Sequence, residues 1–183
     1  MKTSPDPFWL SEFRQRMKDF GPSAGKEAVA VSIKLKVDSG CFCKSCCPEG
    51  HRLLAEHLRL HPEVLKDARM VEHESGPEIL TYMNLAGGAL AFAAAVITLI
   101  VAIIQARAEG ARRGDKRGYP FKMIVRRIDN QKEFKEDLLL EIPLEADINA
   151  EEIASRLLSY AKANAKNSRR KPAKTKKKGK QVI

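Results

Sequence analysis

The strongest constraint on this chain is the run from Leu85 to Ile104, LAGGALAFAAAVITLIVAII, which has no charged side chain and Thr98 as its one ordinary polar group. At 1.5 Å per residue these 20 residues make a helix of about 30 Å, the thickness of the hydrocarbon core of a bilayer. A helix apolar on every face must be shielded from water all round. Lipid satisfies that, and so does the core of the protein's own fold. Length favours a single membrane span through Leu85, Phe92, Val96, Ile97, Leu99, Ile100, Val101, Ile103 and Ile104, while seven Ala and two Gly keep a buried core helix open. The run begins too far along the chain for a secretory leader.

Pro77 is placed to open this helix and Gly114 to close it, so the helical stretch is expected over 77–113 with the span at about 85–104. Arg107, Arg112, Arg113, Lys116 and Arg117 crowd its C-terminal exit, whereas Glu72, Glu74 and Glu78 dominate the approach. Positive residues resist translocation, so as a span the helix would leave the C-terminal half in the cytoplasm. Strands before and after a true span lie on opposite sides of the membrane and cannot share a sheet. If they do pair, the apolar helix must fold back on them.

The charge is uneven. From Lys162 onward there are ten Lys and Arg and no acid; the remaining 23 Lys and Arg balance the 23 Asp and Glu. The basicity therefore belongs to a tail, residues 162–183, which has no apolar periodicity and is expected to be disordered. Such a tail offers salt-dependent attraction to anionic lipid or to nucleic acid, not base readout.

Within 1–26, DPFWLSEFRQRMKDF starts with Asp6 as N-cap and Pro7 at the first helical position, and puts Trp9, Phe13, Met17 and Phe20 on one stripe. That amphipathic helix can lie on a membrane, dock on a partner or pack on its own domain. Residues 27–76 read as a β-α-β unit. Val29, Val31, Ile33, Leu35 and Val37 alternate with Ser32, Lys34 and Lys36, a strand with one apolar and one wet face. A helix from about Glu49 to Leu60 and a weak strand at Ala68 to Glu74 follow. In 119–161 a β-hairpin, Phe121 to Ile128 and Glu133 to Ile142, precedes a helix with a capping box, Asn149 and Glu152, and a staple from Ile148 to Ile153. The fold class is α+β: a β-α-β unit, a long apolar helix, a β-hairpin and a C-terminal helix.

This order, with Leu60-His61-Pro62-Glu63-Val64-Leu65 ending the first long helix and the apolar helix standing before two strands, resembles the effector-associated constant component family of bacteria. The likeness covers about residues 27–161 and rests on the Asp-Pro-Glu-Leu type of helix end. It implies an accessory protein of a conflict or defence module, partnered with a caspase-like or trypsin-like effector. No catalytic residue carries over. The Cys cluster, the aromatic N-terminal helix and the basic tail depart from the family pattern.

All four cysteines fall in CFCKSCCPEGH. Cys41, Cys43, Cys46 and Cys47 with His51 have the thiolate and imidazole chemistry of a zinc site, although four thiols within seven residues differ from the usual two separated pairs. Reactive, acylated or inert loop thiols are the alternatives. No catalytic motif such as GxSxG, HExxH or a phosphate-binding Gly loop is present. Gly88, Ala91 and Ala95 offer a small-residue face for self-association. The leading expectation is a non-enzymatic, membrane-anchored adaptor with no tightly bound cofactor except possible zinc. The rival is a soluble α/β interaction module whose tail binds nucleic acid.

Overall fold

The computed structural model describes residues 7–21, 28–66, 68–84, 94–117, 120–129, 133–144 and 149–169. Its frame is one five-stranded antiparallel sheet of β1 (Ala28–Val37), β2 (Ala68–Val71), β3 (Glu78–Asn84), β4 (Phe121–Asp129) and β5 (Glu133–Ile142), in the order β2-β3-β1-β4-β5. Helices α2 (Pro48–Leu60), α3 (Ala94–Arg112) and α4 (Ala150–Arg169) belong to one side, and α1 (Phe8–Phe20) packs on the other. The architecture is α+β, as the residue patterns imply.

Strand β1 sits at the centre because both of its faces are covered. Val31, Ile33, Leu35 and Val37 enter the main core, and Ser32 and Lys34 on the opposite face are buried as well, with no exposure and 3% exposure. The sequence reading made that second face wet. The correction comes from α1, whose Leu10, Phe13 and Met17 pack with Leu80, Ala30 and Ile128 to form a second, smaller core. Of the three roles open to α1, the structure shows it packed on its own sheet, beginning at Phe8 with Pro7 at the cap position.

The largest correction concerns the stretch after Pro77. Instead of opening a helix, Pro77 precedes β3, which pairs with β1 along Ala28 to Lys34 and with β2 along Ala68 to Val71. Ile79, Thr81 and Met83 alternate with Glu78, Leu80 and Tyr82 between the two faces, a period-2 pattern in residues suited to strands. The helix expected over 77–113 thus begins at Ala94. Leu85 and Phe92 lie outside the described residues, as do Gly88 and Ala91 of the small-residue face.

Helix α3 is long and apolar enough to cross a membrane by length and composition. In this fold it is also the central helix of the core: Val96, Leu99, Ile100 and Ile103 are fully buried, and Ile97, Ala102, Ile104, Ala106, Arg107 and Gly110 nearly so. Its open positions include Ala94, Thr98, Gln105 and Arg112. The crossing with α2 is close because Gly110 meets Gly50: a Cβ on Gly110 would stand 2.6 Å from the Gly50 nitrogen and 2.8 Å from its Cα. Gly114, at φ 108°, ends the helix in the left-handed region that glycine tolerates.

Beyond α3, β4 returns to pair with β1 from Ser32 to Val37, so strands from before and after the apolar helix share one sheet. The expected units 27–76 and 119–161 therefore contribute their strands to one sheet. The hairpin strands match expectation, with a register shift between Met123 and Ile124. At α4, Glu152 N donates to Asn149 Oδ1 at 2.8 Å, the expected cap, and Ile153, Leu157 and Ala161 are buried. The helix runs to Arg169, past the expected end near Asn164; Ile148 and residues 170–183 lie outside the described residues.

Candidate functional site

The cysteine loop joins β1 to α2 and is held from several directions. Phe42 is its anchor: its backbone N donates to Glu74 O at 2.9 Å, its ring meets Phe121 edge-on at 5.6 Å, and His51 stacks on it at 4.7 Å. Cys46 and Cys47 both donate backbone N–H groups to Cys43 O, at 3.1 and 2.8 Å, which turns the chain into α2. From the exit of α3, Lys116 N donates to Cys46 O at 3.2 Å, while the Asp115 carboxylate accepts from Glu49 N and Gly50 N at the start of α2. A carboxylate there satisfies orphan N–H groups and complements the positive end of the helix.

Of the five residues with metal-ligand chemistry, the fold gathers three. The sulfurs of Cys41, Cys43 and Cys46 all lie within 4.8 Å of one another, and together they can hold a metal ion. Cys41 and Cys46 are joined as a disulfide, with the free Cys43 Sγ 3.2 Å from Cys41 Sγ. Hydrogen bonding to Ser45, and then to the Cys46 backbone, lowers the Cys43 thiol pKa from its ordinary value. Cys47 and His51 do not join the group. Cys47 turns into the core, where burial pushes its thiol up, and its Sγ lies 3.7 Å from Cys41 O. His51 is engaged by the Phe42 ring, with Nε2 3.4 Å from Phe42 O.

The basic residues at the exit of α3 differ in burial and in partners. Arg107 is buried, its guanidinium carbon 4.1 Å from the centre of the Phe121 ring. Arg112 and Arg113 both bind Glu109, at 2.9 and 2.7 Å. Lys116 and Arg117 are exposed.

A second feature lies on the α1 side of the sheet, where a cleft of about 500 Å³ is lined by Trp9, Arg16, Lys34, Lys36, His73 and Arg126 among others. Beneath it lies a buried polar network around Glu78. Ser32 Oγ donates to Glu78 Oε1 at 2.5 Å, His73 Nε2 lies 3.0 Å from Oε2, and an Arg16 terminal nitrogen lies 3.1 Å from the same oxygen. Burial by itself would raise the Glu78 pKa, yet hydrogen bonds from His73 and Ser32 and the Arg16 charge hold it at about 2. Lys34, beside it in the β1–β3 ladder, donates to Gly76 O; desolvation lowers its pKa to about 8 despite the attraction of Glu78. Arg126 binds Glu136 at 2.7 Å and lies 5.9 Å from the centre of the Trp9 ring, which is 47% exposed at the rim. Arg16 Nε is buried without a hydrogen-bond partner.

Sequence reasoning missed this cleft because its residues come from α1, β1, the approach to β3, β4 and β5. The local signal was the run of Ser32, Lys34 and Lys36 on one strand face, opposite a helix with Arg16 near its apolar stripe. Comparison with family models, curated proteins and solved structures returned no match to this chain.

Proposed function

We propose that this chain is a non-enzymatic accessory module that binds an acidic segment of a partner protein in the cleft between α1 and the sheet. The observation that carries the reading is the cleft itself, where Arg16, Lys34, Lys36 and Arg126 outnumber the carboxylates of Glu12 and Glu136 beside an exposed tryptophan. Guanidinium and ammonium groups recognise carboxylates, and an exposed indole supplies rigid apolar contact area at small entropic cost. The resemblance to effector-associated components suggests a peptidase effector as the partner. The Lys-rich tail would add long-range, salt-sensitive attraction.

The module is proposed to work from one side of any membrane, with α3 as its core. Crossing a bilayer between β3 and β4 would put those strands on opposite sides, whereas β1 pairs with both of them. The exposed Thr98, Gln105 and Arg112 on α3 fit water better than acyl chains. The length and composition of α3 favour the second reading, a membrane anchor. Carbonate washing of membranes separates the two: the core-helix reading expects release of the full-length chain and a monodisperse species without detergent.

Binding is tested by purifying the tagged chain from its native host beside the Lys36→Glu and Trp9→Ala variants. Both side chains are substantially exposed, so the variants are expected to fold. Co-purification of a defined partner should fall in each variant. An unchanged partner in both, with wild-type circular dichroism, would remove the cleft from the interface.

A further inference from the structure

We propose that Cys41, Cys43 and Cys46 form a redox-gated site for a thiophilic divalent cation, zinc in the first place, which the Cys41–Cys46 disulfide closes. The site is independent of the cleft and of any partner it binds. Three thiolates around zinc at about 2.3 Å would stand roughly 3.8 Å apart in a tetrahedron. The three sulfurs already lie within 4.8 Å of one another, and each residue is only partly buried, which leaves an entry path for an ion. The backbone of the loop is fixed independently of the sulfurs, by Phe42 N on Glu74 O, Lys116 N on Cys46 O and Cys47 N on Cys43 O. Opening the disulfide therefore leaves three thiols on a preorganised loop.

The fourth position differs from the cage that the sequence suggests. Cys47 is packed in the core and His51 is held against Phe42, so neither completes the tetrahedron without dismantling the anchor of the loop. Water takes that place, as in open zinc sites. Closure is a two-electron oxidation. With a peroxide as oxidant, the Cys41 and Cys46 thiolates give up two electrons and form the S–S bond; hydrogen peroxide takes those electrons with two protons and leaves as two waters. Zinc departs, and Cys43 remains outside the disulfide. A dithiol reductant runs the change backwards, returning two electrons to the S–S bond while it becomes a disulfide itself.

The test is a zinc titration of the full chain against a chromophoric chelator, after anaerobic phosphine reduction and again after peroxide. Variants Cys43→Ser and Cys47→Ser are carried in parallel, each checked by circular dichroism. The reduced wild type and Cys47→Ser should bind one zinc per chain, and Cys43→Ser should bind roughly tenfold or more weakly. Peroxide should release the zinc and leave two titratable thiols, those of Cys43 and Cys47. The proposal is overturned if the reduced wild type binds no zinc, if Cys43→Ser binds as well as wild type, if Cys47→Ser loses as much as Cys43→Ser, or if the oxidised chain keeps its zinc.

Discussion

Truncating Ile103 to alanine tests whether α3 is the core of this protein. The side chain has no exposure and packs in the main cluster with the sheet and the neighbouring helices. The change removes three carbons, which at about 0.8 kcal/mol per buried methylene is roughly 2.4 kcal/mol of transfer free energy. The cavity left in a close-packed interior adds to this, for a total of about 3–4 kcal/mol. In a chain of this size such a loss lowers the melting temperature by about 10 °C. The assay is urea unfolding followed by far-UV circular dichroism in detergent-free buffer, with Gln105→Ala as the control on the exposed side of the same helix. The control should stay within about 0.5 kcal/mol of wild type. A loss below about 1 kcal/mol for Ile103→Ala, equal losses for the two variants, or a wild type that needs detergent to stay in solution would refute the core role of α3.

Other consequences are as direct. Gly110→Ala should cost about 1–3 kcal/mol by urea unfolding, because the added methyl meets the backbone of Gly50, which cannot rotate away as a side chain can. Glu78 has its folded pKa depressed from 4.5 to about 2, so its contribution to stability is present above the unfolded value and is lost as pH falls from about 4.5 to 2. That loss is on the order of 3 kcal/mol, and Glu78→Gln should flatten the acid limb of a stability-against-pH curve over this window. The Lys34 ammonium should titrate near pH 8, below its ordinary value of 10.5, in side-chain NMR of lysine-labelled protein. Its folded pKa lies below its unfolded one, so its part of the stability should rise between pH 8 and 10.5. Asn149→Ala should cost about 1 kcal/mol through loss of the cap on Glu152 N.

Local chemistry made much of this fold legible. The alternation in β1, the hairpin strands and the cap at Asn149 announced elements that the structure contains, because each rests on residues that interact within one element or with the next one along. The thiol cluster was legible for a similar reason: its ligands crowd a single loop. Strand β3 was not, because its Ile79, Leu80 and Met83 run almost directly into an apolar segment and only pairing with β1 and β2 distinguishes them from the start of a helix.

The sequence by itself determined that twenty apolar residues near the middle of the chain needed shelter from water, and that the basic charge belonged to one end. It could not say who would provide the shelter, since lipid and protein interior are alike in excluding water. In the tertiary structure the described part of that run packs against the sheet, whose strands β1 and β4, from before and after α3, pair with each other. The same fold buries Lys34 and Glu78 beneath α1 and draws Arg16 to Glu78. Electrostatic and steric partners distant in sequence acquire their energies only when the chain closes on itself, and so the cleft exists in the fold alone.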